Sequence, residues 1–265
     1  MTTFFLIVLA TALAGVGSVW LAAWLSFGVL ARYTQHMLSL AAGALLATAF
    51  LHLLPEAFES AVEPHQLFLT LLAGLVFFFL LDKAELWHHG HEHHHDDHAH
   101  HGHAHEHHDH GSTVGAWSVL AGDSLHCFGD GILIASAFVA DWHLGWVAAL
   151  AVLVHEVPHH MGDLVVIGQS GRRPAKAAVL KVSIAGAVTA VGGAVGYVLV
   201  DTLHAQLPYF LVVASSSFVY VALADLIPQL QKRLSSQQTL AQIFWLGVGM
   251  SGVWTVAALV GGHAH

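Results

Sequence analysis

Apolar runs with hardly a charge in them, each about as long as a bilayer is thick, recur through this chain and restrict its fold more than any other feature. A helix crossing the hydrocarbon core needs roughly 20 such residues. Runs of that kind fall near 4–30, 36–58, 66–86, 113–139, 143–168, 175–200, 208–230 and 239–262. With 56% hydrophobic and 9% charged residues in 265 and a mean hydropathy of +0.66, a water-soluble domain is excluded. Hydrocarbon offers no partner to an open backbone amide, so each run has to be helical. The fold expected is all-α, a polytopic membrane bundle of eight transmembrane helices. The first run is too long for a cleaved leader and has no basic residue ahead of it, so it counts as span one.

The few basic residues orient this map. Arg32 follows span one, Lys83 ends span three, Arg172, Arg173 and Lys176 separate spans five and six, and Lys232 and Arg233 follow span seven. Only Lys181 lies inside a span, near its start. The odd-numbered loops thus carry the positive charge, which places them in the cytoplasm and both termini outside. The formal charge of −9 treats 25 histidines as neutral and says little about partners. A single cysteine, Cys127, rules out an internal disulfide.

One stretch breaks the pattern. Residues 88–111, "HHGHEHHHDDHAHHGHAHEHHDHG", hold 14 of the histidines between spans three and four and have too little apolar surface to fold alone. Interspersed imidazole and carboxylate suit Zn²⁺ and similar borderline cations. We expect a disordered cytoplasmic metal-handling loop, with His93, His94, His95, His100, His101, His107 and His108 as its candidate ligands. The chain divides into residues 1–87 with three spans, the loop 88–111, and 112–265 with five spans, all one membrane domain. Glycines in span six (Gly186, Gly192, Gly193, Gly196) and span eight (Gly247, Gly249, Gly252) are read as close helix contacts.

Ionisable residues inside spans are costly and mark an ion path or a buried partner. Span four sets His126 and Asp130 one turn apart on one face, and span five repeats His155, His159 and Asp163 at intervals of four, with Glu156 beside the first. Two helices thereby offer imidazole and carboxylate at matching depths, as a divalent cation requires. Pro158 withholds an amide one turn after Val154 and is expected to kink span five at the cluster. Pro55 and Pro228 do the same in spans two and seven, beside His52, Glu56 and Asp225, which become candidate pathway residues.

At these residues the chain strongly resembles the ZIP (Zrt-, Irt-like) family of divalent-metal transporters, in its histidine-rich branch. The family pattern HNxxDG corresponds to "HCFGDG" at 126–131, and HExPHExGD corresponds to "HEVPHHMGD" at 155–163. "AAGALLATAFLHLLPEA" in span two and "SSSFVYVALADLIPQL" in span seven also match. The resemblance implies a binuclear site between spans four and five, in a protein that imports Zn²⁺ and sometimes Fe²⁺, Mn²⁺ or Cd²⁺ by moving a helix bundle against a scaffold. It places His126, Asp130, His155 and His159 on the first metal, with Glu156 and Asp130 reaching the second. Cys127 stands where the family has an Asn ligand, and His160 stands where the branch has Glu. Lys181 lies near the height at which the sixth span can add a ligand.

Two rivals compete. HEVPH also fits the HExxH of zinc proteases, with Glu156 as general base, but Pro158 disturbs the required one-turn geometry. A cation-diffusion-facilitator exporter shares the His-x-x-x-Asp helices but has six spans and a soluble C-terminal domain. The expectation is therefore a transporter and not an enzyme, with metal ions as cargo and no organic cofactor. Its partners are the lipid bilayer and, as the assembly to test, a second copy in a homodimer, with no nucleic acid. The short loops suit a bacterial inner membrane.

Overall fold

The computed structural model describes residues 2–26, 34–90, 111–169, 175–230 and 235–261, and among them no strand occurs. The chain begins with α1 (Thr2–Ala12), a π-helical turn at Leu13–Gly17 and α2 (Ser18–Ser26). It continues with α3 (Thr34–Thr48), a second π segment at Ala49–Leu53, α4 (Leu54–Phe58) and α5 (Pro64–Gly90). Then come α6 (Gly111–Ala140), α7 (Trp142–Gln169) and α8 (Ala175–Thr202). A 3₁₀ turn at His204–Gln206 leads into α9 (Leu207–Tyr220), a third π segment at Val221–Leu226, α10 (Ile227–Leu230) and α11 (Ser236–Gly261). The histidine-rich residues singled out between 93 and 108 lie outside the described residues, as do Arg32, Arg172, Arg173, Lys232 and Arg233.

Among the described residues, seven helical stretches are long and apolar enough to cross a membrane: Thr2–Leu25, Gln35–Phe58, Pro64–Leu81, Asp123–Ala140, Lys176–Val200, His204–Ala224 and Ser236–Leu259. The remaining expected span is α7. At 28 residues it has the length, but His155, Glu156, His159, His160 and Asp163 dilute its apolar character. Lipid, rather than protein, covers much of the bundle. In Pro64–Leu81 and Ser236–Leu259 only 11% of the residues are buried, although mean hydropathy reaches 1.9 and 1.4. Phe68, Phe77, Ile243, Phe244 and Trp254 on these helices are exposed. A helix that is apolar on every side and unburied by its own chain belongs in a bilayer, so this is an integral membrane protein.

The helices form two groups. In one, α6 packs along α8 and α7, with α1 against α8 and α2 against α7; in the other, α11 lies on α3 and α5 on α9. Contacts of α3 with α7 and of α6 with α9 join the groups. Glycine sets the spacing within them. A Cβ on Gly192 would fall 2.1 Å from the Phe128 carbonyl oxygen, and one on Gly249 equally close to that of Leu40. The glycines of α8 are all contact positions, as expected, but Gly247 and Gly252 have nothing within 4 Å of such a Cβ. The expectation fails for those two because they face away from α3.

The prolines differ among themselves in the local helix geometry. Both π segments in the second group end two residues before a proline, Pro55 and Pro228. The proline ring collides with the carbonyl four residues back, here Leu51 and Ala224. Each lies inside the widened turn, which relieves the collision. Around Pro158, by contrast, α7 remains α-helical throughout.

Candidate metal site

A single residue, Asp141, separates α6 from α7. Its Oδ1 accepts hydrogen bonds from the backbone amides of His143 (2.8 Å) and Leu144 (3.1 Å), capping α7. So short a connection makes the two helices antiparallel neighbours, and positions whose numbers sum to about 285 come face to face. Asp130 meets His155, His126 meets His155 and His159, and Asp123 meets His159 and Asp163. One turn of each helix contributes one rung, and the rungs form three linked groups of ligand atoms in which the members lie within 4.8 Å of one another.

The first group is His126, Asp130, His155 and Glu156. His155 Nε2 lies 3.3 Å from Asp130 Oδ2 and 3.3 Å from Glu156 Oε1. His126 Nε2 lies 3.3 Å from Glu156 Oε1, 3.8 Å from Asp130 Oδ2 and 3.4 Å from His155 Nε2. Four ligands held tetrahedrally at zinc–nitrogen distances of 2.0–2.1 Å stand about 3.3 Å from one another. Five edges of the group, at 3.3 to 3.8 Å, are close to those of such a tetrahedron. His155 Nδ1 is 3.1 Å from the Ala151 carbonyl, to which only a protonated nitrogen can donate, so in the neutral ring the Nε2 lone pair faces the group.

The second group is Asp123, Cys127, Glu156 and His160, every member buried. Cys127 Sγ lies 3.7 Å from Asp123 Oδ1 and 3.7 Å from Glu156 Oε2. His160 Nε2 lies 3.0 Å from Glu156 Oε2 and 3.5 Å from Asp123 Oδ1. The other nitrogen of His160, Nδ1, is 3.0 Å from Ser18 Oγ on α2. Ser18 gives its own proton to the Gly15 carbonyl at 2.6 Å, so it accepts from His160 and again leaves Nε2 free toward the carboxylates. Glu156 spans the two groups, with Oε1 in the first and Oε2 in the second.

The third group is Asp123, His159 and Asp163. His159 Nδ1 lies 3.7 Å from Asp123 Oδ1 and 3.5 Å from Asp163 Oδ2. His159 therefore turns its Nδ1 away from the first group, where the resemblance would place it, although its ring stacks on that of His126 at 5.5 Å. Across the groups, Asp123 Oδ2, Asp130 Oδ2, Glu156 Oε1, His159 Nδ1, His160 Nε2 and Asp163 Oδ2 are buried atoms without a hydrogen-bond partner. An unpaired buried polar atom costs several kcal/mol in hydrocarbon, and a cation shared among such atoms removes that cost.

Other expected residues are not members of these three groups. His52 lies in the π segment Ala49–Leu53 with its Nε2 buried and unpartnered, Glu56 is exposed, and Lys181 is half-buried on α8. Asp225 belongs to Val221–Leu226, and its side chain lies outside the described residues. Asp123 and Ser18 were not anticipated. Asp123 is one turn before Cys127 on the His126 stripe, a spacing that could have revealed it, whereas nothing near Ser18 in sequence points to His160.

The comparison that decides the lineage is with protein families: a model described as ZIP Zinc transporter matches residues 82–257. The chain belongs to the ZIP family. Among curated relatives, this ZIP chain is 28% identical to "Zinc transporter ZIP4" of Homo sapiens, over 88% of its own length and 44% of that protein. It is 27% identical to "Zinc transporter ZIP13" of Pongo abelii over 83% of itself and 66% of that protein. With "Zinc transporter zipt-7.2" of Caenorhabditis elegans it shares 34% identity over 54% of itself and 32% of the relative. The ZIP chain thus spans less than half of the length of human ZIP4.

Proposed function

We propose that this chain carries a divalent cation, zinc foremost, across a membrane toward the cytoplasm, through a binuclear site formed by α6 and α7. The observation that carries the reading is Glu156, 1% exposed, with one carboxylate oxygen in each of two ligand groups. A bridging carboxylate between two groups of imidazole, carboxylate and thiol is chemistry for holding cations. The donor set is mostly nitrogen and oxygen, which exchange more readily than a closed thiolate cage. That suits a path on which an ion must bind well enough to enter and weakly enough to leave. All ligands of the site lie on the α6–α7 pair, and Ser18 on the adjoining α2 orients one of them. A shift of that group against α3, α5, α9 and α11 would move the site as a unit, as alternating access needs.

The first group takes the first ion with His126, Asp130, His155 and Glu156. The second takes another with Cys127, Asp123, Glu156 and His160, where the thiol adds affinity for softer ions such as Cd²⁺. Fe²⁺ and Mn²⁺ are further cargoes by the same donor logic. The curated relatives' names specify zinc for those proteins, which supports zinc here. We place α7 as a span, giving eight, with both termini outside and the histidine-rich stretch in the cytoplasm; the short connections support a bacterial inner membrane. The protease reading is disfavoured by geometry: the two histidines of HEVPH direct their nearest nitrogens to different groups, and Glu156 is engaged by two of them. The exporter reading has no support from family membership.

Uptake by proteoliposomes tests the proposal. Wild-type protein should move Zn²⁺, and Asp130→Ala and His155→Ala should each lower uptake at least tenfold while eluting as folded protein. Wild-type vesicles that cleave a membrane peptide and move no metal would refute it.

A further inference from the structure

The third ligand group shares Asp123 with the second group, but its His159 and Asp163 belong to neither group of the binuclear site. Asp123 is 4% and Asp163 8% exposed, and the Asp123 Oδ2, Asp163 Oδ2 and His159 Nδ1 atoms are buried without hydrogen-bond partners. The Asp123 side chain is 1% and that of Asp163 12% exposed, and Asp123 Oδ1 and Asp163 Oδ2 lie 3.7 and 3.5 Å from the imidazole Nδ1. Unlike the other carboxylate contacts of the ladder, those of Asp163 are with this group alone.

The group also differs in access. The His159 side chain is 38% exposed and that of His126 26%, whereas those of His155, Glu156 and His160 are at most 2%. The two more exposed imidazoles stack at 5.5 Å beside the buried groups. Along α6, Asp123 precedes His126 and Asp130, so the third group is nearest the end where α6 begins at Gly111, next to the histidine-rich stretch. Asp163 extends α7 one turn, about 5.4 Å, past His159 toward that same end.

We propose that Asp123, His159 and Asp163 form a third cation site, a transfer station between the binuclear centre and the mouth of the bundle on the side of the histidine-rich stretch. Its role in transfer rests on the transport reading, but its existence does not. Three ligands, one nitrogen and two oxygens, leave a coordination position for water at the exposed face of His159, the mark of a site built for exchange. Asp123 Oδ1 lies near Cys127 and His160 of the second group and 3.7 Å from His159 Nδ1 of the third, and its Oδ2 is unpaired. A cation can pass from one side of that carboxylate to the other without losing all of its ligands.

Equilibrium dialysis of purified full-length protein against Zn²⁺, with total metal analysis, tests the site separately from transport. To remove the metal bound by other histidines, the count is taken as a difference between variants that share an identical histidine-rich stretch. Asp163→Asn should hold one Zn²⁺ fewer than wild type, and Asp163→His, which restores a ligand, should hold the wild-type number. An unchanged count in Asp163→Asn would overturn the proposal. So would loss of more than one ion in both variants, because Asp163 would then support the centre as a whole. In vesicles, Asp163→Asn should slow Zn²⁺ uptake at least fivefold; an unchanged rate with one ion lost would overturn the transfer role. Failure of the transport reading looks different, since wild-type vesicles would move no metal while the one-ion difference persisted.

Discussion

A ligating histidine usually donates its other ring N–H to a fixed partner, and His155 and His160 do so by two unrelated devices. His155 uses the carbonyl of Ala151 one turn back in its own helix, and His160 uses Ser18, 142 positions away in sequence. Removing such an outer partner typically costs 10–100-fold in metal affinity. We expect Ser18→Ala to weaken Zn²⁺ binding by about tenfold or more, read by competition with a chromophoric chelator, with Ser18→Thr retaining most of it. Wild-type affinity in Ser18→Ala would mean that His160 holds no ion. The ligands on α6 and α7 were legible from spacing because helices place residues four apart on one face. Ser18 was not, because no local pattern encodes which distant helix will cover His160.

Elements of this chain differ mainly in how closely they approach one another, and glycine decides that. At Gly192 a methyl group would enter the backbone of α6 at Phe128, so the α6–α8 pair must separate. Overpacking of that kind costs about 1–3 kcal/mol. Gly192→Ala is expected to lower the unfolding midpoint in detergent by several degrees. Gly247→Ala has open space and gains helix propensity of up to about 1 kcal/mol, so it should leave the midpoint level or raise it. Equal losses in both variants would show that helix spacing is not the cause. Periodicity in the sequence could not distinguish these two glycines, since both belong to apolar helices and only the close approach of α6 crowds Gly192. Likewise Pro55 and Pro228 follow widened turns while Pro158 follows a regular helix, a difference that comes from how each helix is held and not from the proline itself.

For the whole molecule the open question is parity. Seven stretches are apolar enough to cross a membrane, and α7 is the eighth only if its polar side chains are matched by its neighbours. The ligand ladder supplies that match, because the ionisable residues of α7 face carboxylates and imidazoles of α6 rather than lipid. Reporter fusions at the two chain ends should then report the same, extracytoplasmic side. Ends on opposite sides would exclude α7, or one other helix, as a span.

The sequence by itself determined that the chain is helical and lies in a membrane, since long uncharged apolar runs have no other stable state in lipid. It also determined which two helices carry the ligands, since a one-turn spacing is a property of the helix and independent of its surroundings. Only the tertiary structure decided how those ligands are shared. That Glu156 spans two groups, that His159 turns to Asp123 and Asp163, and that Ser18 orients His160 all follow from the antiparallel register of α6 on α7 and the placement of α2 beside them. Register is set by packing across helices, through backbone contacts such as that of Gly192 with Phe128, and residues related only by that packing have no fixed separation along the chain.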